Sequence, residues 1–187
     1  MTIALIVIAA IVVIAVLYFI AKRNSIISAR NRVDEAWSGI DVQLKRRHDL
    51  VPNLVETVKG YAAHESQTFE KTTQARAEAM QAQSVAETAQ AEQKLTQALA
   101  DVKAVAENYP ELRATENFQQ LSRNLSELED EIQASRRIYN SNVQAYNTKI
   151  QVFPNSVVAG MGNFEAREFF EIEDATEREA PQVSFDK

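Results

Sequence analysis

The apolar positions along the chain fall into three patterns. The first is unbroken: IALIVIAAIVVIAVLYFIA, from Ile3 to Ala21, is 19 consecutive residues without a charge, Gly or Pro. At ~1.5 Å per residue it makes about 28 Å of helix, enough to cross a bilayer's hydrocarbon core. A cleaved signal peptide would show a basic n-region, a shorter apolar run and a small-x-small exit. Here Met1 and Thr2 precede the run and Tyr18-Phe19-Ile20-Ala21-Lys22 closes it, so the pattern predicts a permanent anchor in contact with lipid over residues 2–21. Lys22, Arg23, Arg30 and Arg32 follow directly, which by the positive-inside rule puts the rest of the chain in the cytoplasm and the N-terminus outside.

The second pattern is a helical stripe: Val33, Trp37, Ile40, Leu44, Val51, Leu54, Val58 and Tyr61 recur at steps of three, four or seven. Arg47 occupies the position that would complete the stripe between Leu44 and Val51, and Pro52 lies just beyond. Two readings fit: one long helix kinked at Pro52, or two helices folded back at His48–Pro52 with Asp49 as cap and Pro52 in the first turn. The fold-back is favoured because a short connection lets the halves bury their stripes against each other. The Ala- and Gln-rich middle, TTQARAEAMQAQSVAETAQAEQKLTQALADVKAVAENYP, has high helix propensity and few large side chains before Leu95. Its first half reads as a thin, exposed and largely solvated helix, large side chains return at Leu95, Leu99, Val102 and Tyr109, and Pro110 ends the helix.

The third pattern is the longest. Phe118, Leu121, Leu125, Leu128, Ile132, Tyr139, Val143, Tyr146, Ile150 and Phe153 step by three and four with one gap at Ser135, a helix of about 52 Å that Pro154 stops. A rod of that length needs partners of similar length. The patterns together predict an all-α protein: a single N-terminal transmembrane helix (1–22), then an elongated antiparallel four-helix bundle (23–172) with short C-terminal helices. Phe164, Phe169 and Phe170 dock Asn155–Ile172 onto the bundle, and an acidic, flexible tail (173–187) follows, from which Val183 and Phe185 could clip onto a surface.

Composition narrows the chemistry. The chain has no cysteine, which excludes disulfides, thiol nucleophiles and thiolate-bound metal. A net charge of -6 argues against nucleic acid as a partner. His48 beside Asp49 and His64 beside Glu65 are the catalytic suspects, but HESQT lacks the second histidine of a zinc-binding HExxH helix, and the two histidines stand 16 residues apart. No phosphate loop or nucleophile elbow occurs. The reading is therefore no catalytic residue, no metal ligand and no cofactor.

The remaining polar signals suit packing. Lys45, Arg46 and Arg47 form a basic run that reads as a solvated face or an intra-bundle salt-bridge donor. As an anion or partner contact it would lie about 39 Å from the membrane face, and the acidic tail EIEDATERE is a possible counterpart. Tyr139-Asn140 and Tyr146-Asn147 repeat one dipeptide seven residues apart, on one face. With Trp37, Ile40, Leu44 and Asn53 they read as seam residues that bond neighbouring helices and set register, a peptide-binding groove being the sharper alternative.

The segments AWSGIDVQLKRRHDLVPNLVETVKGYAAHE, YNSNVQAYNTKIQVFPN, FFE and PQVSF, in this order after an N-terminal anchor, resemble the LemA family over nearly the whole chain. The resemblance implies a bacterial inner- or plasma-membrane protein with one span and a cytoplasmic helical bundle. It implies no enzymatic activity, and magnetosome-associated relatives point to membrane organisation. The expectation is a non-catalytic scaffold or adaptor, self-associated, working with other membrane proteins; a membrane-remodelling protein is the runner-up.

Overall fold

The computed structural model describes residues 1–171. Its helices are α1 (Thr2–Lys59), α2 (Ser66–Gln81), α3 (Val85–Glu107), α4 (Pro110–Ala114), α5 (Glu116–Gln151) and α6 (Asn155–Met161), and every regular element among the described residues is helical. The predicted fold-back at Pro52 does not occur. α1 is one helix of 58 residues with Pro52 inside it, about 87 Å long, and the boundary between apolar run and bundle falls within it. The reading failed because Asp49 and Pro52 fit a helix start equally well, while Val51, Leu54 and Val58 continue the same buried face as Ile40 and Leu44.

α5 lies antiparallel along α1 with a constant register. Asn117 Nδ2 meets the Thr57 hydroxyl at 3.4 Å, Glu129 meets Arg47 at 3.2 Å, Asn142 Nδ2 donates to the Arg32 carbonyl at 3.2 Å and Lys149 Nζ to the Ser25 hydroxyl at 3.2 Å. The stripe read on α5 is buried from Leu121 to Ile150, but the helix stops at Gln151, so Phe153 lies outside and exposed. Thr115 caps the other end, its hydroxyl accepting the Phe118 N–H.

The Ala-rich middle is two helices, not one. Ser84 and Glu87 form a capping box that starts α3 after a short break, and α3 returns antiparallel along α2. The first half of the middle is not solvated as the low-complexity reading has it, since Ala75, Ala79 and Ala91 are buried, and with Ala98, Ala106, Leu95, Leu99 and Val102 they pack in one cluster with Val51, Leu54 and Val58 of α1. Small side chains there bring two backbones close, as Thr72 Oγ1, 3.4 Å from the Ala98 carbonyl, records. Full burial of each large aliphatic in this distal cluster contributes about 1.5–3 kcal/mol.

A second cluster fills the proximal half, where Ile26, Val33, Ile40 and Leu44 of α1 meet Ile132, Tyr139, Val143, Tyr146 and Ile150 of α5. α6 caps it with Val158 and Ala159, and an extended strap over residues 164–171 closes one side with Phe170. The predicted short C-terminal helices are thus one helix and an extended strap. Residues 1–18 are exposed throughout, the expected state of a segment long and apolar enough to cross a membrane. The acidic tail and its Val183 and Phe185 lie outside the described residues.

Candidate functional site: a polar knot and a clamped strap

Two polar constellations stand out, and each is built across elements distant in sequence. The first is a knot on α1. Arg47 and His48 are buried, at 4% and 8% exposure, and so is Glu92 of α3, at 5%. The Glu92 carboxylate is shared: Oε1 lies 2.5 Å from His48 Nε2 and Oε2 lies 3.5 Å from Arg47 Nη1. Arg47 also reaches Glu129 of α5 at 3.2 Å, and its Nη2 donates to the Thr96 hydroxyl at 2.6 Å. Three helices therefore converge on one guanidinium. A charge so buried is tolerated because partners occupy its donors, and deleting one partner leaves the other uncompensated.

The basic run divides accordingly. Arg47 belongs to the knot, while Lys45 is exposed and Arg46 only approaches Glu131 at 3.9 Å with both side chains more than half exposed. An exposed pair of that kind contributes about 0–1 kcal/mol. Among the described residues no three His, Asp or Glu side chains gather as a metal-binding group.

A further polar tie joins α2 to the same turn of α1. Pro52 has no N–H, so the His48 carbonyl four residues before it has no helical donor. Arg76 Nε of α2 donates to that carbonyl at 2.7 Å. The proline thus opens an acceptor that a neighbouring helix uses.

The second constellation is the Tyr/Asn face of α5, where the two repeated dipeptides hold the strap by its backbone. Asn147 pairs with Arg167 through both ends of its amide, Nδ2 donating to the carbonyl at 2.9 Å and Oδ1 accepting the N–H at 2.8 Å. Asn140 does the same to Phe170, at 3.1 and 2.8 Å. Tyr146 donates its hydroxyl to the Glu165 carbonyl at 3.0 Å and Tyr139 to the Glu168 carbonyl at 2.9 Å. The arithmetic of the two chains matches: seven helical residues rise about 10.5 Å, and three extended residues cover about 10 Å. A heptad repeat on α5 therefore addresses every third residue of the strap.

Side chains complete the groove. Trp37 lies 5.4 Å from the Tyr139 ring and 5.8 Å from the Phe170 ring, centroid to centroid, and the Arg136 guanidinium lies over the Phe170 ring at 4.9 Å. Arg167 reaches across to Asp34 of α1 at 2.9 Å. Burial raises the phenol pKa of both Tyr139 and Tyr146 above the ordinary value, with Arg167 opposing the shift. Both hydroxyls stay protonated as donors at neutral pH.

Of the residues singled out in the sequence, Trp37, Tyr139, Asn140, Tyr146 and Asn147 come together at the strap. Ile40 and Leu44 lie in the core beneath it. Asn53 stands apart, exposed on the distal half of α1, where its carbonyl accepts the Thr57 hydroxyl. The Tyr/Asn pairs bond the chain's own C-terminal segment and not neighbouring helices. Sequence reasoning missed Glu92, Thr96, Glu129 and Arg76. A signal existed for Glu92, which interrupts the α3 stripe of Thr88, Leu95, Leu99 and Val102 just as Arg47 interrupts that of α1.

The sequence model of the LemA family matches residues 36–185. The chain is 30% identical to Protein LemA of Metamycoplasma hominis over 153 residues, 80% of this chain and 69% of that protein. It is 25% identical to Magnetosome protein MamQ 2 of Paramagnetospirillum magneticum over 85% of this chain and 70% of that one. Identity to Magnetosome protein MamQ of Magnetospirillum gryphiswaldense is 22%, over 80% and 64% of the two chains.

Proposed function

This chain belongs to the LemA family, and from that membership and the geometry above we propose that it is a membrane-anchored, non-catalytic scaffold or adaptor of the bacterial envelope. Its soluble part acts as an elongated antiparallel four-helix bundle on the cytoplasmic side of the inner membrane, self-associates, and offers its surface to other membrane proteins. The observation that carries this reading is α1, which joins the apolar run to the bundle as one uninterrupted helix. A spine without a joint holds whatever docks on the bundle at a fixed height above the lipid. Of the two histidines, His48 is taken up internally in the knot with Arg47 and Glu92, and the Tyr/Asn face of α5 is taken up by the strap. Crosslinking in intact membranes followed by mass spectrometry tests the proposal. Links between copies and to other envelope proteins are expected; only intramolecular links at native abundance would overturn it.

A second reading, direct organisation of the membrane, is favoured by the similarity to magnetosome proteins. It predicts that purified protein tubulates or clusters liposomes, which a scaffold leaves unchanged.

A further inference from the structure

The register of α5 on α1 fixes what lies next to the bilayer. Lys149 is level with Ser25 and α5 ends two residues later at Gln151, so the corner that follows, with Val152 and Phe153, leaves the helix within one turn of Ala21, the last residue of the apolar run. Phe19, inside that run, is the one large side chain of the segment packed against the proximal cluster, to which α6 contributes Val158 and Ala159. The corner between α5 and α6 therefore stands beside the span at the edge of the hydrocarbon.

That corner is built unlike the rest of the soluble surface. Phe153 is 83% exposed, Met161 71%, Val157 55% and Val152 47%. α6 is apolar on both sides, since Val158 and Ala159 face the cluster while Val157 and Met161, one turn apart, face away. Asn155 and Ser156 at its start are the polar residues of the helix, and the exposed Val157 and Met161 are more stable in an apolar medium than in water. From Ile150 to Phe164 the sequence holds 15 residues without a charge, and Lys22 and Arg23 directly follow the apolar run with ammonium and guanidinium groups suited to lipid phosphates.

We infer that the corner of residues 152–161 seats in the interfacial layer of the bilayer, Phe153, Val157 and Met161 inserting beside α1 as a second, non-spanning membrane contact. Lipid is the occupant because the patch is continuous with the exposed apolar surface of the span and lies at its boundary. The inference rests on the reading of residues 3–21 as a span, and the test separates the two.

Full-length chain is reconstituted in phosphatidylcholine–phosphatidylglycerol vesicles with and without brominated acyl chains, the bromines near the headgroup in one set and near the chain end in another. Trp37, the chain's single tryptophan, lies about 24 Å past Ala21 and serves as the unquenched internal reference. Phe153→Trp and Met161→Trp, both at exposed positions, are compared with Ile11→Trp in the span. The expected result is bromine-dependent loss of the added emission at all three positions and none in the parent chain. Quenching at Ile11→Trp with none at Phe153→Trp or Met161→Trp overturns the inference and leaves the span intact. No quenching at any position overturns both. Emission at Phe153→Trp that depends on protein concentration and not on bromine assigns the patch to a second copy, which also overturns the inference.

Discussion

Arg76 donates its Nε–H to the carbonyl of His48 at 2.7 Å, the acceptor that Pro52 leaves open four residues later in the same helix. The proline that a sequence reader takes for a turn thus serves as a docking point between α1 and α2. Pro52→Ala should restore the helical N–H and raise intrinsic helix preference by up to ~3 kcal/mol. Arg76→Met alone strands a largely buried carbonyl at a cost of about 1–3 kcal/mol, and in the Pro52→Ala background that cost should mostly vanish. Thermal melts of the four chains measure the coupling; strictly additive effects would refute the relationship.

Deleting one member of the buried knot should be worse than deleting both. Arg47→Met leaves Glu92 with only His48, and Glu92→Met leaves Arg47 with only Glu129 among carboxylates, so each is expected to cost about 3–5 kcal/mol. In thermal melts the double change should cost less than either single change. Arg46→Met, at the exposed pair, should change stability by about 0–1 kcal/mol.

The strap clamp can be loosened one rung at a time. Asn147→Ala removes two bonds to Arg167 and Asn140→Ala two to Phe170, each bond with a net contribution of about 0.5–1.5 kcal/mol. Amide exchange over residues 165–170 should accelerate in each variant while exchange in α3 stays slow. Uniform acceleration throughout the protein would mean that the strap has no independent opening.

Alkali should release the same strap. Folding raises the phenol pKa of Tyr139 and Tyr146, so the stability they contribute is complete below the ordinary phenol value of about 10 and is lost as pH rises through the higher folded values. The hydroxyls are donors to carbonyls, and a phenolate has no proton to donate. The Tyr139→Phe/Tyr146→Phe chain should start less stable at pH 8 and show a shallower decline above pH ~10 in circular-dichroism melts. Parallel declines for both chains would place the alkaline loss elsewhere.

Alanines in the α2–α3 hairpin should resist enlargement. Ala98→Leu puts bulk where Thr72 of α2 approaches the α3 backbone, with an expected penalty of about 1–3 kcal/mol, whereas Ala100→Leu on the exposed side should be close to neutral. Equal effects at both positions would contradict close packing of this pair.

Much of the helical plan is legible because large apolar residues keep their period. The α5 stripe from Leu121 to Ile150 is buried as read, and so is α1 from Val33 to Val58 apart from Trp37, which is half-buried beside the strap. Legibility fails where a residue type carries two meanings. Pro52 can start a helix or sit within one; inside α1 the carbonyl it frees is satisfied by Arg76, a donor distant in sequence that no local pattern announces. Alanine can be solvated or closely packed, and periodicity does not separate the two. The Tyr/Asn repeat announces a face but not its occupant, since its partners are backbone groups, which no side-chain pattern encodes. Glu92 and Arg47 each interrupt an apolar stripe with a charge of opposite sign, and that matched interruption is the readable trace of the knot.

The uninterrupted α1 also makes the protein a mast. From Ala21 to Lys59 is about 57 Å of helix, so a lean of ~20°, the average for membrane helices, carries the far tip about 20 Å sideways. If residues 3–21 span a bilayer, whatever sets the lean of the span, packing against neighbouring helices or anchors such as Tyr18 and Lys22 at the interface, also sets where the distal tip can reach.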